Sequence, residues 1–272
     1  METEQALLSG TGDYVSRVLD VAMKAGKGLL ENGDEISHVE KTMKRIAAAY
    51  GVHHDAFFVL SNGIFTTGWD AENRMPGSFA KVAHIPLKGM RLDRIVALNA
   101  LTEEIVSQKP EPEEAEKRIA EICSSAGKPV WQQLAAAVVG SGCFSVLFGG
   151  TLRDALVSAI AGLVVWLFAL KAAEYKFSKI TINLFGSAIA TLCCVLLSFA
   201  GLGDSLGRMV IGAVITLIPG VALTNGVRDI ADGDYISGVV RLLDALLGFL
   251  CIGVGVGMVF IIYSQITGGM LS

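Results

Sequence analysis

Long apolar segments in the second half of the chain constrain its fold more than any other feature. Residues 180–202 and 242–263 are predominantly apolar and long enough to cross a bilayer, for which a helix needs about 20 residues. Three further apolar segments occupy residues 131–148, 152–172 and 209–223, the last of them short. Cores of soluble domains rarely need several helices of this length and apolarity. The sequence therefore predicts about five transmembrane helices.

Charge separates the chain into two parts. Residues 1–130 hold 19 of the 26 acidic and 15 of the 22 basic side chains, and the remaining residues hold only 7 of each. We therefore predict an α-helical membrane protein in which a small cytoplasmic α+β domain, residues 1–128, precedes a transmembrane domain, residues 129–272. The acidic N-terminus has no long apolar core and is not a signal peptide. A net charge of −4 gives no basic surface for nucleic acid.

Positive charge predicts the orientation of the spans, because cytoplasmic loops are enriched in Lys and Arg. The loops before the first, third and fifth spans hold Lys117, Arg118, Lys128, Lys171, Lys176, Lys179, Arg228 and Arg241. The two alternate loops hold one cation each, Arg153 and Arg208. We therefore expect the N-terminus in the cytoplasm and, after five crossings, the C-terminus outside.

Local patterns in the first half predict a domain of order αα-βββ-αα. Its helices and strands are expected over residues 13–31, 36–50, 56–60, 64–67, 79–85, 92–106 and 111–122. The helices carry apolar residues at i, i+3 and i+4 spacing. Ser61-Asn62-Gly63 separates the first two strands, and Asn-Gly between β-prone runs favours a hairpin because both residues tolerate positive φ.

Catalytic and metal-binding patterns are absent from the sequence. It has no phosphate-binding loop, no Gly-x-Ser-x-Gly and no dinucleotide fingerprint. His53 and His54 are adjacent in a predicted strand, where neighbouring side chains point to opposite faces, so they do not favour a shared metal ion. The five cysteines show neither zinc spacing nor a disulfide framework. We predict neither an enzyme nor a bound cofactor or metal.

A broken apolar segment followed by charges, residues 217–244, is the strongest candidate for a functional site. Pro219 lacks an N–H and Gly220 adds backbone freedom, so the helix is expected to break and expose carbonyl groups. Such a break is costly near a bilayer unless it lines a cavity. It more often marks a permeation or substrate site than a simple anchor.

Polar residues after the break suit a small carboxylate or amino acid. The predicted substrate-binding residues are Pro219, Gly220, Thr224, Asn225, Arg228 and Asp229. An arginine such as Arg228 binds a carboxylate through two parallel hydrogen bonds. The candidates for carrying a proton or another ion are Asp229, Asp232, Asp234 and Asp244.

The same residues also fit purely structural roles. Asp232 and Asp234 fit a turn of the chain, and Arg241 and Asp244 fit an ion pair one helical turn apart. In the fifth segment Gly253 and Gly257 form a G-x-x-x-G step, which favours close helix packing.

Three stretches resemble the threonine/serine exporter family. They are LIPGVALTNGVRDIADGDYISGVVRLLDALL from residue 217, GKGLLENGDEISHVEKTMKRIAAAYGV from residue 26, and SNGIF at residues 61–65. The resemblance covers about residues 14–262. It implies an inner-membrane secondary transporter, an antiporter that exports threonine and serine with the proton motive force.

The same resemblance implies a partner and leaves alternatives. Single-chain members have about ten spans, so five spans resemble the split form, which works with a second small membrane subunit; a homo-oligomer in the lipid bilayer is also consistent. Some members are similar to a succinate (dicarboxylate) exporter subunit. A membrane-anchored sensor or scaffold, with the soluble domain as its working part, is the alternative from another class. A membrane hydrolase has no nucleophile–base pair to support it.

Overall fold

The computed structural model describes residues 2–70, 79–85 and 89–267, with side chains described for residues 14–52, 57–66, 81–85 and 89–267. It divides into two compact units. The first contains the described residues up to Ala126 together with Val221–Leu242, and the second contains Gly127–Gly220 together with the described residues from Leu243 onward. The boundary that we predict at residue 128 does not account for residues 221–242, which group with the N-terminal residues. Hydrogen bonds described below join residues 221–242 to the loop between the first two helices.

The first unit has the predicted element order αα-βββ-αα. Its elements are α1 (Glu2–Glu31), α2 (Ile36–Ala49), β1 (Val52–Leu60), β2 (Gly63–Asp70), β3 (Phe79–His84), α3 (Leu92–Gln108) and α4 (Pro112–Ser124). Helix α1 begins earlier than the predicted residue 13. Buried apolar side chains from α1 to α4 and from β1 and β2 form one core.

The sheet is antiparallel in the order β1-β2-β3, which confirms the predicted hairpin. Val59 pairs with Ile64 and Leu60 with Gly63, so the turn is formed by Ser61 and Asn62. Asn62 and Gly63 both tolerate positive φ, but neither adopts it here, and Gly63 is already paired in the ladder. The pleat directs Ile64 into the core and leaves Phe65 exposed.

The remaining elements are helical. They are α5 (Val130–Leu147), α6 (Leu152–Glu174), α7 (Lys179–Phe199), α8 (Leu206–Val214) with a 3-10 turn (Ile215–Leu217), α9 (Gly220–Ala231) and α10 (Tyr235–Thr267). Helices α5, α6, α7 and α10 are long and apolar enough to span a membrane. The described chain has five candidate spans if the helices on either side of the Ile218-Pro219 break form one bent span. The chain is thus an α-helical membrane protein with a small sheet near its N-terminus.

Two predicted spans have different bounds in the structure. The fourth, residues 209–223, is not one helix, since the helical pattern stops at Leu217 and resumes at Gly220. The fifth, residues 242–263, is part of the longer α10, because the polar residues before Leu242 continue the helix. Residues 268–272 lie outside the described residues, so the predicted position of the C-terminus does too.

Close helix packing in the second unit depends on small residues. A Cβ added at Gly162 of α6 would lie 2.2 Å from Ser141 Oγ of α5. A Cβ added at Gly255 of α10 would lie 2.1 Å from Ser187 Oγ of α7. By contrast, a Cβ at Gly253 or Gly257 would meet no described atom within 4 Å beyond the neighbouring backbone of α10. The G-x-x-x-G step is therefore not used for packing against the described residues of this chain, and a contact of that step with a partner stays a prediction.

A buried carboxylate also stabilises the second unit. Asp154, in the first turn of α6, is fully buried and accepts hydrogen bonds from three backbone N–H groups: Thr151 at 2.9 Å, Asp204 at 2.7 Å and Ser205 at 2.9 Å. These bonds fix the loop before α8 against the start of α6. Buried charges are tolerated where they are hydrogen-bonded in this way.

Candidate functional site

The predicted helix break is present in the signature segment. After the 3-10 turn, Ile218 adopts an extended conformation with φ −67° and ψ 123°. Pro219 has no N–H to donate, and the Gly220 N–H donates to the Ile218 carbonyl at 2.8 Å. The break therefore follows from the chemistry of two adjacent residues.

Beyond the break, polar side chains contact the loop between α1 and α2, residues 32–35. Asn225 Nδ2 donates to the Gly33 carbonyl at 2.8 Å, and Arg228 Nη1 donates to Glu35 Oε1 at 2.7 Å. Arg241 Nη2 donates to the Asp34 carbonyl at 2.8 Å. These contacts join positions about 190 to 210 residues apart in sequence, and they explain why residues 221–242 belong to the first unit.

A buried ion pair lies at the centre of these contacts. Arg241 Nη1 is 3.2 Å from Asp229 Oδ2, and the two side chains are 6% and 2% exposed. The two atoms face each other without hydrogen-bond alignment. Asp229 Oδ1 accepts a long hydrogen bond, 3.4 Å, from the Ile36 N–H at the start of α2. The carboxylate thus connects α9, α10 and α2.

The β-hairpin reaches the same segment. The Ser61 N–H, in the hairpin turn, donates to Ser237 Oγ of α10 at 3.1 Å, and both residues are buried. The three stretches that carry the family resemblance, around residues 32–36, 61–65 and 225–241, therefore meet within the first unit. Sequence order gave no indication of this convergence.

Glycines hold α9 close to the start of α10. A Cβ added at Gly238 would lie 2.5 Å from Ile230 Cγ1 and 2.8 Å from the Gly226 carbonyl oxygen. The turn between the two helices contains Gly233 at φ +95°, a conformation that L-residues rarely adopt. This geometry supports the interpretation of the neighbouring Asp232 and Asp234 as turn residues.

The two turn aspartates differ in environment. Asp232 is exposed, and Asp234 is partly buried. Burial raises the pKa of Asp234 above its ordinary value, and the charges of Glu40 and Asp232 raise it further. Neither carboxylate is part of the buried ion pair.

The other predicted site residues lie elsewhere. Asp244 accepts a 2.6 Å hydrogen bond from Lys179 at an exposed position of the second unit, so the expected Arg241–Asp244 pair is absent. Pro219 contacts Gly248, where an added Cβ would lie 3.0 Å from its Cγ. Thr224 is exposed on α9. Asn225, Arg228 and Asp229 therefore lie together on α9, whereas Asp244 is paired with Lys179 in the second unit.

Sequence reasoning missed three residues that the structure places at these sites. Glu35 pairs with Arg228, Ser237 accepts from the hairpin turn, and Asn183 of α7 is a buried amide beside the break. Only Asn183 had a local signal, because an amide is unusual in an apolar span. Among the described residues no group of three or more His, Cys, Asp or Glu side chains forms a possible metal site.

A cleft of about 320 Å³ lies apart from these residues in the first unit, between Tyr14, Tyr50 and Glu111. The Tyr50 hydroxyl donates to the Pro110 carbonyl at 2.6 Å, and burial raises the pKa of Tyr50 to about 12. None of the predicted site residues lines this cleft.

Known proteins align with most of this sequence at low identity. The profile of a family described as "Putative threonine/serine exporter" matches residues 20–263. The threonine/serine exporter of Corynebacterium glutamicum is 26% identical over 255 residues, which cover 90% of this chain and 51% of that protein. A "Probable threonine/serine exporter" of Mycobacterium tuberculosis is 22% identical over 246 residues, 90% of this chain and 46% of that protein.

An uncharacterized protein of Schizosaccharomyces pombe is 25% identical over 183 residues, 61% of this chain and 21% of that protein. No solved structure matches the chain. The chain spans about half the length of the two exporters it matches. Because the family profile covers most of its residues, this chain belongs to the threonine/serine exporter family.

Proposed function

We propose that this chain is one subunit of a secondary transporter that exports threonine, serine or a related small carboxylate across the bacterial inner membrane, and that it is not an enzyme. Family membership supports transport. The observation that carries the proposal most directly is that residues 34–36 contact the buried Asp229–Arg241 pair, and the hairpin turn contacts Ser237, next in sequence to a broken candidate span. Buried charge beside a discontinuous helix is typical of transport sites.

The small number of candidate spans supports a second subunit. We infer that another small membrane protein, or further copies of this chain, assembles with it in the lipid bilayer, because the four or five candidate spans of the described residues form a thin wall for a solute pathway. The face of α10 that carries Gly253 and Gly257 has room for a close helix contact. That face is our candidate for the subunit interface.

The direction of α7 and α10 supports five crossings. Successive residues of α7 contact successive residues of α10: Lys179 contacts Asp244, Asn183 lies near Gly248, and Ser187 lies near Gly255. Residue numbers increase in the same direction along both helices, so the two helices run parallel. Two parallel spans require an odd number of crossings between them. The broken segment from Leu206 then crosses once, which is consistent with a cytoplasmic N-terminus and an outside C-terminus.

Arg228 is our candidate for binding the substrate carboxylate. Its side chain is 62% exposed, and its guanidinium pairs with Glu35. A substrate carboxylate of the same geometry as Glu35 can replace that contact, because guanidinium binds carboxylates through paired donors. Asn225 lies one helical turn away and adds a neutral polar group. In this proposal, Glu35 occupies the place of the substrate when none is bound.

Asp229 is our candidate for proton coupling. It is the buried member of the predicted set Asp229, Asp232, Asp234 and Asp244. Protonation of Asp229 would remove the charge that faces Arg241 and weaken the contact of α9 with α10 and the α1–α2 loop. Proton binding would in this way change the arrangement around Arg228.

Export assays test the proposal. Cells that lack the gene should accumulate labelled threonine or serine, and the gene expressed with its membrane partner should restore export. Labelled succinate tests the dicarboxylate alternative in the same cells. Equal accumulation of all three compounds with and without the gene would contradict a transport function and favour the sensor or scaffold alternative.

A further inference from the structure

The outward face of the three-stranded sheet carries a row of exposed apolar side chains. Phe58 of β1 pairs with Phe65 of β2, and Phe65 pairs with Val82 of β3, so the three residues are neighbours across the whole sheet. They are 52%, 42% and 69% exposed, and the two phenylalanine rings lie 6.1 Å apart. Single exposed apolar residues are ordinary, but a contiguous row of large ones indicates a binding surface. We call these three residues the apolar row.

The apolar row has little charge around it. Lys81, next to Val82 in β3, points to the opposite face of the sheet, where its ammonium group lies 2.7 Å from Asp20 of α1. Of the described side chains on the outward face, His84 is the one titratable group. A strongly charged partner would require complementary charges on this face. The composition of the face therefore favours an apolar partner.

The hairpin that carries the row contacts the first turn of α10. The Ser61 N–H donates to Ser237 Oγ at 3.1 Å, and both residues are buried. Phe58 and Phe65 lie two residues beyond the Leu60–Gly63 pair that closes the hairpin turn. Two residues of a strand span about 7 Å. The apolar row is thus only a short distance along the strands from the contact with α10.

The exposed apolar face of α10 begins at the level of this contact. On the side away from the buried Ser237 and Arg241, exposed apolar residues repeat at helical spacing: Ile236, Val240, Leu243, Leu247, Leu250 and Val254. The 33 residues of α10 are about 50 Å long, whereas a bilayer with its headgroup regions is about 40–45 Å thick. When α10 crosses a bilayer, its first turns therefore lie at the level of the headgroups.

We propose that the apolar row binds the surface of the lipid bilayer at the end where α10 enters it, so that the sheet adds a membrane contact to those of the spans. The hairpin turn lies beside the part of α10 that is at headgroup level. Apolar side chains that reach about 5–10 Å into the boundary between headgroups and acyl chains are removed from water there. Because the face has no cluster of cations, binding should not require anionic lipid. The contact does not depend on which substrate is exported.

Spin labels on the full chain in phosphatidylcholine vesicles test this contact. The five native cysteines are replaced, and a nitroxide is placed at Phe65→Cys or, in a second chain, at Val82→Cys. Oxygen concentrates in lipid, and a nickel chelate stays in water. The ratio of oxygen to nickel accessibility should therefore be several-fold higher at both positions than at a water-exposed control position. Adding anionic lipid should leave this ratio unchanged. The Val82 label provides the same test if the Phe65 variant does not fold.

The control is Ala48→Cys, an exposed position in the last turn of α2. It lies about 18 Å along α2 from Ile36, whose N–H contacts Asp229. Equal accessibility ratios at positions 48 and 65, or a high ratio at 65 that requires anionic lipid, would overturn the inference. Labels in the row that are shielded from both reagents would mean that a protein covers it. Broadened spectra that sharpen on dilution with unlabelled chain would mean that a second copy covers it. Either result would equally overturn the inference.

Discussion

The two sides of the helix break satisfy their polar groups in different ways. In the first unit, the charges of Asp229 and Arg241 are buried together; Asp229 accepts a further hydrogen bond from the Ile36 N–H, and Arg241 donates one to the Asp34 carbonyl. In the second unit the buried polar group beside the break is neutral, the amide of Asn183, and it has no partner. The charged pair thus lies where the α+β domain supplies backbone hydrogen-bond partners. The amide lies among apolar spans, where burying a charged side chain would cost more free energy than burying a neutral one.

The largest effect should come from breaking the buried ion pair. Arg241→Met leaves Asp229 buried without its counter-charge and should lower the free energy of unfolding by about 3–5 kcal/mol. The matched control is Lys179→Met, which breaks the exposed pair with Asp244 and should cost about 0–1 kcal/mol. Thermal unfolding in detergent measures both, and equal losses would contradict the contrast between the two pairs.

The double variant Asp229→Leu with Arg241→Met sharpens the same comparison. Replacing both members of a buried pair by apolar residues is often close to neutral, since no charge remains to be desolvated. The double variant should therefore be more stable than Arg241→Met alone, yet inactive in export if Asp229 carries the proton. A double variant that is less stable than the single one would show that the other hydrogen bonds of these residues dominate.

Packing in the second unit gives an intermediate effect. Gly255→Ala places a methyl group 2.1 Å from Ser187 Oγ and should cost about 1–3 kcal/mol. Gly253→Ala, two residues away with no described atom within 4 Å, should leave the stability of the isolated chain unchanged. If Gly253→Ala weakens co-purification with a membrane partner without lowering stability, this result supports the proposal that the Gly253 face of α10 is the subunit interface. Equal destabilisation by both alanines would mean that α10 presents a different face to α7.

Arg228→Ala should separate stability from function. Because the Arg228 side chain is 62% exposed and solvent screens its charge, loss of the pair with Glu35 should change the free energy of unfolding by only about 1 kcal/mol or less. Threonine export should nevertheless be abolished if Arg228 holds the substrate carboxylate. Glu35→Gln, which frees Arg228, should retain export. Unchanged export by Arg228→Ala would exclude this arginine from the site.

The smallest effect concerns pH. The raised pKa of Asp234 means that its ionised form is disfavoured in the folded chain, so its contribution to stability is greatest at low pH and is lost as pH rises through the folded-state pKa. Asp234→Asn should therefore raise the melting temperature slightly at neutral pH, and the difference should vanish in acid. Melting curves at several pH values check this, and a lower melting temperature at neutral pH would contradict it.

Local signals predicted the local features well. The hairpin around Asn62 and the break at Pro219 depend on the conformational limits of adjacent residues, which the sequence shows directly. The hydrogen bond from Asn225 to the Gly33 carbonyl joins residues 192 positions apart. Hydrophobic periodicity in the sequence gives no information about such a long-range contact. Gly255 of α10 packs against α7 and Gly253 does not, because the rotation of α10 about its own axis is set by the helices that pack against it.

The central claim is that residues 221–242 are folded together with the N-terminal α+β domain. Cysteines at Ser61 and Ser237, in a chain whose five native cysteines are replaced, test it most directly, because the Ser61 N–H lies 3.1 Å from Ser237 Oγ. Mild oxidation of membrane vesicles should form an intramolecular disulfide between them, and a control pair at Ser61 and the exposed Tyr235 should link more slowly. Failure of the 61–237 pair to link, or equal linking of the control pair, would contradict the account.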